Sequence, residues 1–144
     1  MRGQQIAVNE LQMADLVYQT DYAEEHFISW VTAGDDDHGS RLAGFLRLSL
    51  PGLESPETGI PDLQGAAIIR EVHIYGQSLQ VGEEKRGAAQ HAGLGTRLLE
   101  KADQIARERG FSRMAVISAI GTRLYYINRG FERGDLYLMK DLNS

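Results

Sequence analysis

Gln90-His91-Ala92-Gly93-Leu94-Gly95-Thr96, running directly into a long amphipathic stretch, is where residue types and spacing point most clearly to chemistry. Two glycines spaced G-x-G, placed where a loop gives way to a helix, would aim several unpaired backbone N–H groups at one point. The helix dipole adds partial positive charge there. Such a turn suits an anion, above all a pyrophosphate. A P-loop would need Lys-Ser/Thr after its second glycine, whereas Gly95 is followed by Thr96-Arg97, and a dinucleotide fingerprint would need glycine where Leu98 stands. A plain loop–helix junction with no ligand stays open as an alternative, because glycine is common in turns.

Upstream, Glu71 and His73 fall on one face of a strand pattern, where polar groups in a central strand need a reason. One of them is a candidate base, or an orienter of water; the alternative is that each meets a backbone group or an arginine such as Arg70 or Arg123. Asp35-Asp36-Asp37-His38 is a hairpin-loop run whose carboxylates are expected to be solvated rather than to hold a metal. His26 and His91 show no ligand spacing with His73. Arg86, Arg97, Lys101 and Arg123 are candidates for phosphates and equally for ordinary surface charge. Trp30, Tyr18 and Tyr22 make no aromatic–basic stripe for stacking bases.

The elements that must position these residues read as strands first and helices later. Val17 to Tyr22 alternates weakly, His26 to Val31 is a better strand, and Leu42 to Leu50 follows across a Gly34–Ser40 hairpin loop, making an early antiparallel meander. Pro51 to Gly65 holds all three prolines and reads as a loop. Ala66 to Tyr75 is the strongest strand, with Ile68, Arg70, Val72 and Ile74 expected on one side and Ile69, Glu71, His73 and Tyr75 on the other. Residues 77–89 read as a polar loop leading to the glycine turn. In the helix after it, Leu94, Leu98, Leu99, Ala102, Ile105 and Ala106 form one stripe, with Arg97, Glu100, Lys101, Asp103, Arg107 and Glu108 off it and Gly110 closing it. Met114 to Ser118 is a short buried strand, Gly121 to Asn128 a second helix, and Phe131 to Met139 a final strand.

With 144 residues the chain is expected to form one domain over 1–144 with its own core. It contains no cysteine, which excludes disulfides, thiolate metal sites, cysteine-ligated iron–sulfur clusters and a thiol nucleophile. The first twenty residues lack the pattern of a signal peptide, and no apolar run reaches membrane-span length, so the expectation is a cytoplasmic protein without a membrane partner. Charge is uneven: residues 1–65 carry 11 acidic and 3 basic side chains, and the remainder 9 and 12. A mildly positive second half suits a small anion better than nucleic acid, and no strong nucleic-acid patch is expected on the domain itself.

The glycine segment fits Q/R-x-x-G-x-G/A, the pyrophosphate loop of acyl-coenzyme A transferases, and Leu124-Tyr125-Tyr126-Ile127-Asn128-Arg129-Gly130-Phe131 resembles the L-Y-x-x-x-G-F ending of the GCN-five-related N-acetyltransferases (GNAT). Ile69 to Gly76, Gln90 to Thr96 and Ala115 to Tyr126, with Glu25 to Trp30 and Gly44 to Leu48, narrow the likeness. Together they resemble the acetyltransferase domain of the Elongator catalytic subunit, in the tRNA wobble-uridine acetyltransferase family, from about Tyr18 to Met139. The resemblance implies an α+β GNAT fold: a central, mostly antiparallel sheet with a V-shaped splay between strands, here with reduced N-terminal helices. It implies acetyl-CoA as the bound coenzyme, with Glu71, Val72, His73 and Ile74 bordering the acetyl-pantetheine arm and Gln90, His91, Gly93, Leu94, Gly95 and Thr96 at the pyrophosphate. Tyr126 takes the place of the tyrosine near the coenzyme sulfur, where a phenol can protonate a departing thiolate; a packed core tyrosine is the alternative.

In that family the domain is joined to a radical S-adenosylmethionine domain carrying an iron–sulfur cluster, and acetyl-CoA serves to build a carboxymethyl-type group on C5 of the wobble uridine in tRNA. The cysteines of that domain are absent here, so the cluster and S-adenosylmethionine are expected only in a partner domain, and tRNA is expected to be met through the full-length protein. The acceptor side is expected to be incomplete and turnover by the domain alone weak or absent. Protein lysine acetylation and a non-catalytic acetyl-CoA-binding module are the other readings.

Overall fold

The structure, a computed structural model, describes residues 11–32, 41–52, 63–75, 84–117, 126–134 and 137–143, with the backbone alone for 84–92. The elements are β1 (Leu11–Gln19), β2 (Ala23–Thr32), β3 (Leu42–Pro51), β4 (Ala67–Ile74), α1 (Glu84–Glu108), β5 (Arg113–Val116), β6 (Glu132–Arg133) and β7 (Leu138–Asp141). They form a seven-stranded sheet in the order β1-β2-β3-β4-β5-β7-β6. Every pairing is antiparallel except β4 with β5. A parallel pair needs a crossover, and α1 supplies it.

The apolar stripe of α1 lies on one face of the sheet. Leu94, Leu98, Leu99, Ala102, Ile105 and Ala106 are buried against Ile28, Trp30, Leu46, Leu48, Ile69, Met114 and Val116 in one core. Truncating a fully buried member such as Leu98 to alanine would cost about 2–5 kcal/mol. Trp30 adds a directional tie, its Nε1–H donating to the Leu94 carbonyl at 3.1 Å. The helix ends as Gly110 implies: Gly110 has φ +87°, and Phe111 N–H returns to the Ala106 carbonyl at 2.9 Å.

Beside this agreement stand several corrections. The helix does not begin at the glycine turn; α1 starts at Glu84, so residues 84–89 of the expected loop and the whole Gln90–Thr96 segment are helical. Ala88, Ala89, Gln90 and Ala92 are good helix formers, and together with Lys85 and Arg86 they outweigh the glycines. Asp103, expected on the polar side, is buried at 4% exposure. The single final strand is two strands, β6 and β7, closed by a bond from Gly134 N–H to the Tyr137 carbonyl; the Gly134-Asp135 dipeptide is the turn signal that breaks it. β1 begins at Leu11 rather than Val17, because its outer residues pair with β2 through the main chain and need no apolar pattern. Of the second helix, residues up to 125 lie outside the described ones, as do the Gly34–Ser40 loop and most of Pro51–Gly65. Among the described residues no helix lies between β1 and β4.

β4 also departs from simple alternation. Arg47 pairs with Glu71 and Leu48 with Ile69, so Arg70 is the extra residue of a bulge. Beyond it Val72 and Ile74 pack on the core with Ile69, while Arg70 and Glu71 share the opposite face, where they reach Ser49 and Arg47 on β3.

At the far edge, buried His26 on β2 lies between two carboxylates. Its Nδ1 is 2.9 Å from Asp15 on β1 and its Nε2 is 2.6 Å from Glu24, which also receives Arg109 Nε from the end of α1 at 2.9 Å. The hydrogen bond from His26 holds the Glu24 carboxyl below its ordinary value of 4.5; burial opposes this, and the Arg109 charge adds to it. A depressed folded value means stability that is present above the unfolded pKa and lost as pH falls through the folded one. Denaturant midpoints taken from about pH 5 down to about pH 3 should therefore fall less steeply in Glu24→Gln than in the parent chain. Parallel curves would remove this cluster from the account of acid stability.

Candidate coenzyme site

The site begins at the edge of β4. On one side β4 is paired with β3 as far as Gly44 and Ile74, and Tyr75 N–H continues to the Ala43 carbonyl at 2.9 Å. On the other, β5 accompanies only Ala67, Ile68 and Ile69, and the last contact is Ile117 N–H to the Ile69 carbonyl at 3.4 Å. The two strands therefore part after Ile69, which is the splay expected of this sheet. In an antiparallel ladder alternate residues turn their N–H and C=O to the same neighbour. Tyr75 bonds to β3, so His73 and Glu71 do as well, and the main-chain groups of Val72 and Ile74 point to the side where β5 has ended. No described strand runs alongside them there. Without the Arg70 bulge, the alternation would have turned Glu71 and His73 that way instead.

Glu71 and His73 share the outer face, as their spacing implies, and there they also meet each other: Nε2 of His73 lies 3.2 Å from Oε1 of Glu71. The cation beside them is not Arg70 but Arg47, whose Nη1 donates to Glu71 Oε2 at 2.7 Å, and Arg123 lies outside the described residues. That hydrogen bond holds the Glu71 carboxyl below the usual carboxylate range, against the small opposing effect of burial and with help from the charges of Arg47 and His73. A carboxylate held charged is a poor proton acceptor near neutral pH. Glu71 is thus placed to orient His73, and the tautomer that donates from Nε2 leaves Nδ1 as an acceptor. Phe45 stacks on His73 with centroids 5.2 Å apart and on Phe27 at 4.9 Å, so the ring is held from one side as well.

The glycine segment is nearby on α1 in a form the sequence does not suggest. Because the helix runs through it, the N–H groups of Gly93 to Thr96 lie inside a helix rather than at its end. A Cβ at Gly93 would meet nothing within 4 Å. Packing therefore gives no reason for a glycine in mid-helix, where it costs about 1 kcal/mol relative to alanine. Leu94 is buried, and Thr96 Oγ1 accepts from Arg129 Nε at 2.9 Å. Of Gln90 and His91 only the backbone is described. Arg97 lies 6.0 Å over the Trp30 ring.

Tyr126 is in the core, 6% exposed, and meets Phe131 edge to face at 5.7 Å. Its turn is tight: Arg129 and Phe131 N–H both reach the Tyr126 carbonyl, at 2.9 and 3.1 Å, and Gly130 takes φ +94°. The residues that reading the sequence misses are Trp30, Arg47 and Arg129. Each acts through a partner far along the chain, and no local pattern marks them. Among the described residues there is no cluster of three or more metal-ligating side chains, and no helix is long and apolar enough to cross a membrane. Asp35 to His38, Arg86 and Arg123 lie outside the described side chains.

The chain is 34% identical over 149 residues to Elongator complex protein 3 of Danio rerio, an alignment covering 99% of this chain and 27% of that protein. It is 36% identical over 129 residues to tRNA uridine(34) acetyltransferase of Dehalococcoides mccartyi, covering 89% and 27%. Among solved structures it is similar to the archaeal Methanocaldococcus infernus Elp3 lacking residues 1–46, with a TM-score of 0.72 at 24% identity, covering 96% of this chain and 32% of that one. The last likeness shows the fold. No protein-family model matches. The chain spans about a quarter of the length of the curated relatives it matches.

The Arg47–Glu71 contact yields a measurable consequence. In Arg47→Met the Glu71 carboxyl is expected to titrate at higher pH than in the parent chain, read from its side-chain carbon resonance. A Glu71 titration unmoved by the substitution would show that the ion pair does not hold this carboxylate.

Proposed function

The chain belongs, as the counterpart of about one quarter of their length, to the family of Elongator complex protein 3 and the tRNA uridine(34) acetyltransferases, and on that premise we propose that it is the acetyl-CoA-binding acyltransferase domain of a tRNA wobble-uridine modifying enzyme. The observation that carries the proposal is the edge of β4. Val72 and Ile74 turn main-chain donors and acceptors to a side where no described strand pairs with them, and the amides of a pantetheine arm can pair there as an added strand would. Bound acetyl-CoA supplies an activated acetyl group as a thioester.

The rest of the assignment follows from this chain's side chains. Val72 and Ile74 hold the arm through the backbone, while Glu71 and His73, whose main chains are engaged by β3, act through their side chains. His73, oriented by Glu71 and Phe45, is the better placed of the two to take or position a proton. Tyr126 donates its phenolic proton to the departing thiolate. Gln90, His91, Gly93, Leu94, Gly95 and Thr96 take the pyrophosphate. Their N–H groups become available once the first turns of α1, from Glu84 to Ala92, unwind; Gly87 lies within those turns and Gly93 and Gly95 just after them, and each lowers the cost. The chain has no cysteine, so an iron–sulfur cluster and S-adenosylmethionine belong to a radical domain outside it, and tRNA is met through the joined protein in the cytoplasm.

Acetyl-CoA hydrolysis by this chain alone and fused to the radical domain of a relative, each with and without tRNA, tests the function. Stimulation by tRNA in the fused form alone is the expected result. Acetylation of a peptide by the isolated chain, indifferent to tRNA, would sink it. The pyrophosphate assignment has its own test. Gly93→Trp, at an exposed position where an added Cβ meets nothing within 4 Å, should fold normally yet lose coenzyme A binding, and coenzyme A should speed amide exchange across residues 84–92 of the parent chain. Unchanged affinity in Gly93→Trp would remove the assignment.

A further inference from the structure

Asp103 and Lys140 form an ion pair that no step of this chemistry uses. Asp103 sits on α1, 4% exposed, and Lys140 on β7, with Nζ 2.6 Å from Oδ2. The second carboxylate oxygen, Oδ1, is buried without a hydrogen-bond partner among the described residues. A buried pair with one oxygen unsatisfied is a costly way to join two elements. A leucine and a methionine in these places would serve stability as well or better.

What an apolar pair does not supply is direction. The Asp103 carboxylate fixes where the lysine chain runs, and that chain underlies the tyrosine turn. Lys140 Cε is 3.2 Å from where a Cβ on Gly130 would stand, and its ammonium is 5.7 Å from the centre of the Phe131 ring. Phe131, 2% exposed, in turn packs edge to face on Tyr126. The Arg129–Thr96 bond ties the same turn to α1 about two turns of helix nearer the glycine segment. With two ties on one helix, the turn has a single seating on α1.

We propose that Asp103 and Lys140 are positioning residues for Tyr126, holding its hydroxyl in place for proton donation by seating the Gly130–Phe131 turn against α1. The inference rests on the reading of Tyr126 as proton donor.

The test compares four chains: the parent, Tyr126→Phe, the double variant Asp103→Leu/Lys140→Met, and the triple combination. Acetyl-CoA turnover and melting temperature are measured on each. The double variant is expected to melt at or above the parent temperature, to keep its KM for acetyl-CoA within about twofold, and to lose between about tenfold and about a hundredfold in kcat. In the Tyr126→Phe background the same double change should cost nothing further, because a residue that acts through the hydroxyl has nothing left to position. A full additional loss there, or an unchanged kcat in the double variant, overturns the inference while leaving Tyr126 as the donor. Full turnover by Tyr126→Phe removes the donor role, and the positioning role with it. Should the parent chain release no coenzyme A by itself, 3-fluorotyrosine at position 126 reads the same question. A fluorine resonance shifted and broadened by the double substitution supports the seating, and one left in place overturns it.

Discussion

The functional side of this domain depends on β4 being paired along its whole length at one edge and along only three residues at the other. A strand in the middle of a sheet ordinarily spends every N–H and C=O on its neighbours, and leaving them unpaired in a partly apolar setting is costly. β5 ends at Val116, and no described strand runs beside the main-chain groups of Val72 and Ile74. The Arg70 bulge decides which residues those are. It turns two apolar residues, whose side chains are already committed to the core, toward the opening with their backbones. Glu71 and His73 keep their backbones on β3 and their side chains on the outer face. Binding through the main chain and chemistry through side chains are thereby divided between alternate residues of one strand.

The uneven charge of the chain has a structural counterpart of a different kind from a free positive field. Acidic side chains of the first half meet basic ones of the second across the fold: Glu24 with Arg109, and Glu25 with Arg70 at 3.9 Å. Arg47 of the acidic half is matched by Glu71 of the basic one. Exposed pairs of this sort contribute little to stability, typically below about 1 kcal/mol each. Their greater effect is on position, since three of the strands that carry the site are linked by them face to face. Two of the four cations offered by the sequence for phosphate, Arg86 and Arg123, lie outside the described side chains. Arg97 lies over Trp30, and among the described side chains Arg129 reaches the glycine segment at Thr96.

How much of this was legible depended on how local the cause was. The stripe from Leu94 to Ala106 and the Gly110 stop are written in spacing and are found as expected. The shared face of Glu71 and His73 survives the bulge because both lie on one side of it. The bulge itself leaves no mark in composition: Arg70 satisfies an alternating pattern as well as an interrupted one, and only the register with β3 shows the extra residue. Asp103 looks like a solvent-facing helix residue because the lysine that justifies its burial is 37 positions away. α1 starts earlier than its glycines suggest, because a glycine is a turn signal by itself while the alanines around it favour helix. The Gly134 turn is hard to see in sequence because the segment around it otherwise alternates well.

These features bear unequally on coenzyme binding. The β4 edge presents its donors and acceptors without rearrangement, whereas the glycine segment has its N–H groups inside a helix and Tyr126 is buried. Under the proposed function, a pantetheine arm would find its backbone partners before the diphosphate found its own. The energy of pairing along β4 would then be available to open the first turns of α1, with Gly87 inside them and Gly93 and Gly95 just beyond. The glycines weaken the helix around that junction, whereas from Leu98 onward, where the core needs it, no glycine interrupts it before Gly110.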